Sequence, residues 1–272
     1  VNARSALFDL YGDHLVARGG QAPVAALVRC LGALSIAAPA VRTAVSRIVR
    51  QGWLVAVRTD GGPGYALTPR AEHRLTEAAT RIYRSVDPAW DGSWHLVSLP
   101  RIADRSRRDR VRQGLRYLGY GRIDDTTWIA ARPSSELDGL LEAEEIAAER
   151  FTARHEGDSQ ALVRQVWDLG ALSAEYGRWL VAARDLVKPI GRSASDEEAF
   201  TVRSNLVHEW RKFLFIDPQL PDELLPADWI GGRAARYFDD QAARLLPATG
   251  RFIDTCLGVR HDLDNDGRRT HE

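Results

Sequence analysis

The chain has 272 residues, 44% hydrophobic and 27% charged, with two cysteines and a net charge of zero. That size predicts two or three domains able to bury a core without metal or disulfide support. Cys30 and Cys256 stand far apart, which argues against a zinc finger, an iron–sulfur site and a disulfide framework. The start at Val1 has no secretory h-region, and no apolar run reaches the ~18 residues of a membrane span, so a soluble, cytoplasmic protein is expected.

Charge is segregated along the chain. Residues 1–85 hold 11 Arg against 5 acids, residues 86–130 hold 8 basic and 6 acidic groups, and residues 131–272 hold 18 basic and 26 acidic groups. A basic head on an acidic tail predicts a polyanion as partner of the head. The excess of Arg over Lys, 35 to 2, reflects a GC-rich genome more readily than selection for bidentate contacts.

In chain order, Asp9 to Val16 reads as a short helix or its end, broken by Gly19-Gly20. Pro23 takes a first-turn position before a helix that carries Val24, Leu27, Val28, Leu31 and Leu34. Pro39 opens a second helix through Gln51, with Gly52 at its C-terminal cap. At 100° per residue, Val41, Ala44, Val45, Ile48 and Val49 fall in one apolar arc of about 140°. Arg42, Thr43, Ser46, Arg47 and Arg50 fill the opposite arc, which contains no acid. A merely solvated face mixes charge signs; guanidiniums and hydroxyls alone suit phosphates and guanine edges.

Strands at 53–58 and 65–68 flank Thr59-Asp60-Gly61-Gly62-Pro63-Gly64, which is dense in turn residues. Helix, turn, helix and hairpin is the order of a winged helix-turn-helix, with Arg58 on the flank of the wing. A nucleotide-cradling loop is a poorer reading of Gly61 to Gly64, because no strand–loop–helix order with a following Lys supports it. A helix from Pro69 to about Ser85 and a linker at Asp87-Pro88 follow. Residues 93–156 read as βαββαβ, the ferredoxin-like sandwich, and the arginine run from Arg105 to Arg112 reads as a solvated helix face.

Residues 159–258 read as helical, with Leu162, Val166, Leu169 and Leu172 in one apolar series. Trp167, Tyr176, Trp179 and Trp210 suit a core better than an aromatic-lined pocket. Pro/acid-rich residues 217–226 suggest an ordered loop or capped turns. The expected organisation is α+β. It divides into a winged head at 1–86, a central and dimerising domain at 93–157, a helical domain at 158–260 and a polar, disordered tail at 261–272. Asp262 to Gly267 matches the opening of an EF-hand loop. The closing bidentate Glu would fall one residue beyond Glu272, and no exit helix is read, so calcium is not expected.

Val41-Arg42-Thr43-Ala44-Val45-Ser46-Arg47 and Gly52-Trp53-Leu54 resemble the N-terminal motif of PaaX-type transcriptional regulators. His208-Glu209-Trp210-Arg211-Lys212-Phe213-Leu214, Asp217-Pro218-Gln219-Leu220-Pro221 and Leu224 to Trp229 are similar to that family's C-terminal signature. The resemblance implies a homodimeric repressor of aromatic-acid catabolism that reads an inverted repeat in double-stranded DNA. It implies release by an aryl- or acyl-coenzyme A effector, with no other cofactor. Arg42, Thr43, Ser46, Arg47 and Arg50 then face the groove, Arg58 serves the wing, and His208 and Arg211 are candidates for the coenzyme's phosphates.

Two alternatives stand beside it: a regulator responding to a ligand other than a thioester, and a metal-dependent nuclease. The central segment resembles the fold of small CRISPR-associated endonucleases, which carry a metal-binding Asp at the end of the first strand. Here that strand ends Val97-Ser98-Leu99-Pro100-Arg101, without a carboxylate, so no catalytic or metal-binding set is expected.

Overall fold

The computed structural model of the chain describes residues 2–83, 89–191 and 193–259. The linker at 87–88 and the tail at 261–272, with its calcium-like hexapeptide, lie outside them. The fold is mixed α+β with antiparallel sheets, and the chain forms two compact units. Among the described residues, the first takes in those of 2–80, 183–209 and 238–259, and the second those of 81–182 and 210–237.

In the first unit, helix α1 (Ala3–Leu10) starts at Asn2, whose side chain accepts from Ser5 N–H at 3.0 Å. Asp9 to Val16, read from sequence as a short helix or its end, is the end of a helical stretch that starts at Ala3. The chain continues through a π turn at Tyr11–Leu15 and a 3-10 turn at Val16–Arg18, and Gly19 ends it in the left-handed region. Strand β1 (Gln21–Pro23) follows, then α2 (Val24–Ala33), α3 (Ala38–Arg50), β2 (Leu54–Thr59), β3 (Gly62–Leu67) and α4 (Pro69–Ile82). The sheet order is β1-β3-β2.

Two expectations are corrected here. Pro23 is not in the first turn of α2: it is the extended residue before it (φ −67°, ψ 149°) and pairs with Gly64. The hairpin is also tighter than the turn-rich sequence suggests, since Thr59 pairs with Gly62 and only Asp60-Gly61 lies between. Pro63 sits beyond the end of β1, where β3 has an open edge that tolerates proline.

The inner face of α3 packs as its periodicity requires. Val41, Ala44, Val45 and Ile48 are buried with Leu7, Leu10, Leu27, Leu31 and Leu54.

In the second unit, β4 (Ser93–Ser98), α5 (Arg105–Tyr117), β5 (Gly121–Arg122), β6 (Thr127–Ala130), α6 (Leu137–Ala143) and β7 (Glu149–Arg154) alternate, and the four strands order β5-β6-β4-β7. Alternation along β6 splits the core. Trp128 and Ala130 join Val97, Val111, Leu115 and Leu141 on one side, while Ile129 joins Trp94, Val163, Leu169 and Leu220 on the other.

The remaining helices are α7 (Ser159–Val166), α8 (Leu169–Val187), α9 (Asp196–Trp210), the short α10 (Phe213–Ile216) and α11 (Ile230–Leu257). The apolar series from Leu162 to Leu172 is therefore not one helix. Trp167 is extended (φ −122°, ψ 139°), and Asp168 restarts the chain by accepting from Ala171 N–H at 2.9 Å. The Pro/acid segment is ordered: Asp217 accepts from Gln219 N–H at 2.7 Å and from the Tyr176 hydroxyl, and Leu220 and Leu224 are buried. No described helix is long and apolar enough to cross a membrane.

Candidate nucleic-acid interface

Helix α3 presents Arg42, Thr43, Ser46, Arg47 and Arg50 to solvent, every one of them exposed. Thr43 donates its hydroxyl to Pro39 C=O at 2.9 Å, and Arg50 Nε donates to Ser46 C=O at 3.4 Å. Among the described residues, no acid forms an ion pair with Arg42, Arg47, Arg50 or Arg58. The helix ends as a glycine-capped turn: Gly52 has φ 72°, and Trp53 N–H returns to Ile48 C=O at 3.1 Å. Thr68 then ties the end of β3 to that turn, its N–H bonding Trp53 C=O and its hydroxyl Gly52 C=O. The same turn thus fixes α3 and the β2–β3 hairpin, where Arg58 is exposed opposite Pro63.

The basic run on α5 contrasts with this face, because its arginines are engaged. Arg107 donates to the carbonyls of Glu144 and Glu145, Arg108 to Ile102 C=O at 3.1 Å, and Arg110 to both Glu144 carboxylate oxygens at 2.8 Å. Arg112 faces Asp125 at 3.7 Å. These side chains pin α5 to its neighbours, whereas the arginines on the outer face of α3 have no acidic partner among the described residues.

His208 and Arg211 fall in different compact units. His208 Nδ1 lies 2.9 Å from Asp9 Oδ2. Burial holds its imidazole below the ordinary histidine value, against the opposing field of Glu209. Arg211 is half-buried, and that desolvation lowers its guanidinium pKa from the ordinary value. Of the four aromatics weighed for a pocket, Tyr176, Trp179 and Trp210 are core, packed with Phe213. Trp167 alone stays half-buried.

Sequence reading missed a buried polar cluster in the first unit. Arg203, 3% exposed, makes a bidentate pair with Asp13 and donates Nε–H to Ala242 C=O at 3.0 Å. His14 Nε2 lies 3.1 Å from Asp13 and 3.4 Å from Arg203 Nη1. At the end of β4, Ser98, Leu99 and Pro100 offer no carboxylate, and among the described residues no three His, Cys, Asp or Glu side chains converge as metal ligands.

The first unit thus carries an outward-facing helix of arginines and hydroxyls beside a short hairpin, while the basic run on α5 pairs internally. Similarity to known proteins gives the family. Residues 2–71 match the PaaX-like protein family, residues 87–163 the PaaX protein central Cas2-like domain, and residues 167–255 the PaaX-like protein C-terminal domain. The chain is 32% identical over 267 residues to the transcriptional repressor PaaX of Escherichia coli (strain K12), covering 93% of this chain and 83% of that one. An uncharacterized protein of Mycobacterium tuberculosis shares its architecture at a TM-score of 0.59 and 25% identity, over 94% of this chain and 98% of that one. The chain belongs to the PaaX family of transcriptional regulators.

Proposed function

We propose that the protein is a homodimeric, cytoplasmic, sequence-specific repressor of a catabolic operon, released from an inverted-repeat operator by an aryl- or acyl-coenzyme A thioester. The observation that carries the DNA-binding part is the acid-free outer face of α3, held rigidly beside the β2–β3 hairpin. The order α1-β1-α2-α3-β2-β3 with sheet order β1-β3-β2 supports a winged helix-turn-helix in which α3 enters the major groove and the hairpin approaches the backbone. The order β5-β6-β4-β7 supports a ferredoxin-like sandwich for the central segment.

In this reading Arg42, Thr43 and Ser46 contact base edges, and Arg47, Arg50 and Arg58 secure phosphates. The effector favours a dimer whose heads no longer match the half-site spacing, so it binds that state more tightly.

Fluorescence anisotropy on a labelled duplex from upstream of the protein's own gene, against scrambled competitor, tests the reading. Competitor-resistant binding that phenylacetyl-coenzyme A reverses is expected. Binding that scrambled DNA abolishes would remove it.

Two variants separate reading from steering. Arg42→Ala is expected to cost roughly 1–3 kcal/mol on operator and to relax the preference at one base pair. Equal losses on operator and random DNA would deny it a base contact. Arg58→Ala is expected to weaken all sequences alike and to lower the slope of log K against log salt by about one. An unchanged slope would place the wing away from the phosphates.

A further inference from the structure

Cys30 and Cys256, distant in sequence, meet in the core of the first unit. Cys30 sits on α2 and is 2% exposed. Cys256 sits in the last turn of α11, half-buried, and packs against the same apolar cluster. Both are free thiols, and Cys30 S–H donates to the Cys256 sulfur. The sequence holds no methionine, so these are its only two sulfur atoms.

Both helices are fastened around the pair. On α11, Phe252 and Ile253 are buried in that cluster, and Asp254 accepts from Arg18 Nε–H at 2.8 Å. On α2, the Ala33 carbonyl accepts from the Thr201 hydroxyl at 3.3 Å, and Leu27 and Leu31 share the core with the inner face of α3. Thiols carried by anchored helices stay within reach of each other, which makes their joining a local step.

The two sulfurs are not equivalent. The bond to Cys256, with burial, raises the Cys30 thiol above its ordinary value. The same bond lowers Cys256 against burial, and the Arg29 guanidinium lowers it further while Glu197 opposes. Cys256 therefore has the thiolate character and the access to solvent of an attacking group, and Cys30 the seclusion of a resolving one.

We propose that this pair is a redox site: peroxide closes it to an intramolecular disulfide that clamps α2 to α11 and lowers the affinity of α3 for DNA. The Cys256 thiolate attacks one peroxide oxygen and becomes a sulfenic acid, while the departing hydroxide takes up a proton. The Cys30 sulfur then displaces the sulfenic hydroxyl, which leaves as water with the Cys30 proton. Two thiols lose two electrons and two protons, and the peroxide is reduced to two waters. A covalent bond is shorter than a non-bonded contact, so closure shifts α2, on which α3 packs. The effect on DNA rests on the reading of α3 above; the bond itself does not.

The test is intact mass and peptide mapping of the reduced full chain after hydrogen peroxide, with operator anisotropy in parallel. A monomer two hydrogens lighter is expected, with Cys30 and Cys256 in one cross-linked peptide that dithiothreitol separates. Operator affinity is expected to fall roughly fivefold or more on oxidation and to return on reduction. In Cys30→Ala, peroxide should leave a sulfenic acid on Cys256 that dimedone traps. In Cys256→Ser, Cys30 should stay reduced and operator affinity should not respond to peroxide.

Peroxide that leaves both thiols open to alkylation, or that links separate chains through Cys256, overturns the proposal. So does a Cys30 that oxidises as fast in Cys256→Ser as in the wild type. A cross-linked protein with unchanged operator affinity supports the dithiol and overturns its control of α3. Reduced wild type without preference for operator overturns the DNA-binding reading instead, and the mapped disulfide still decides the site.

Discussion

Replacing Asp13 by Ala is expected to destabilise the protein by roughly 3–5 kcal/mol, the largest effect of any single side chain considered. Arg203 is 3% exposed, and its guanidinium is shared between the Asp13 carboxylate and Ala242 C=O. Without Asp13 that charge stays buried and loses the carboxylate that pairs with it. The penalty is that of breaking a buried ion pair by removing one partner, several-fold larger than the loss of a surface pair.

The three partners come from distant stretches: Asp13 from the turn after α1, Arg203 from α9 and Ala242 from α11. The cluster thus binds the N-terminal head to the C-terminal helices within the first unit. The double variant Asp13→Leu with Arg203→Met removes both charges and is expected to recover most of the loss, since well-packed apolar replacements of buried pairs are often neutral or better. Urea unfolding followed by circular dichroism measures both. A single-variant loss below about 1 kcal/mol would mean that water reaches Arg203, and the buried-pair account would then fail.

What the sequence discloses follows from how local each signal is. The outer and inner faces of α3 are set by periodicity within 13 residues, and Gly52 marks its end by a rule of backbone sterics, so both are read correctly without tertiary information. Strand β1 has three residues, one of them proline, and exists only because β3 supplies its partner; no period-2 pattern announces it. The break at Trp167 was legible in principle, because Asp168 stands one residue before α8 where an N-cap belongs. The apolar spacing of Leu162, Val166, Leu169 and Leu172 masks it.

Ser195-x-x-Glu198 is a second such signal. It forms a reciprocal capping box at the start of α9, with Ser195 N–H on Glu198 at 2.8 Å and Glu198 N–H on Ser195 Oγ at 3.2 Å. Arg203 gives no local sign of its partner, since Asp13 lies 190 residues away. Two glycines are equally hidden: Gly121 and Gly231 look like turn residues until the indoles of Trp167 and Trp229, which a Cβ there would strike, are in place.

Acid should weaken the fold through His14. Its ring is buried, and that desolvation, opposed by Asp13 and reinforced by the charges of Arg203 and Arg18, lowers its pKa from 6.5 to about 4. In the unfolded chain the same ring takes up a proton as pH falls through 6.5. Between those values the unfolded state binds more protons than the folded one, so stability rises with pH there and falls on acidification. At about 1.4 kcal/mol per pH unit, the full window is worth on the order of 3 kcal/mol, lost by pH 4 and unchanged by this group above about 7. His208 and His95 are lowered as well, both mainly by burial, and push in the same direction.

His14→Leu isolates the larger contribution, because His14 Nδ1 has no hydrogen-bond partner among the described residues and the Asp13–Arg203 pair does not depend on the ring for its two direct contacts. Urea midpoints at pH 7, 6 and 5 should fall more steeply for the wild type than for the variant, with the gap between the curves opening below pH 6.5. Parallel curves would show that water solvates the folded imidazole, and the desolvation of this site would then have to be abandoned.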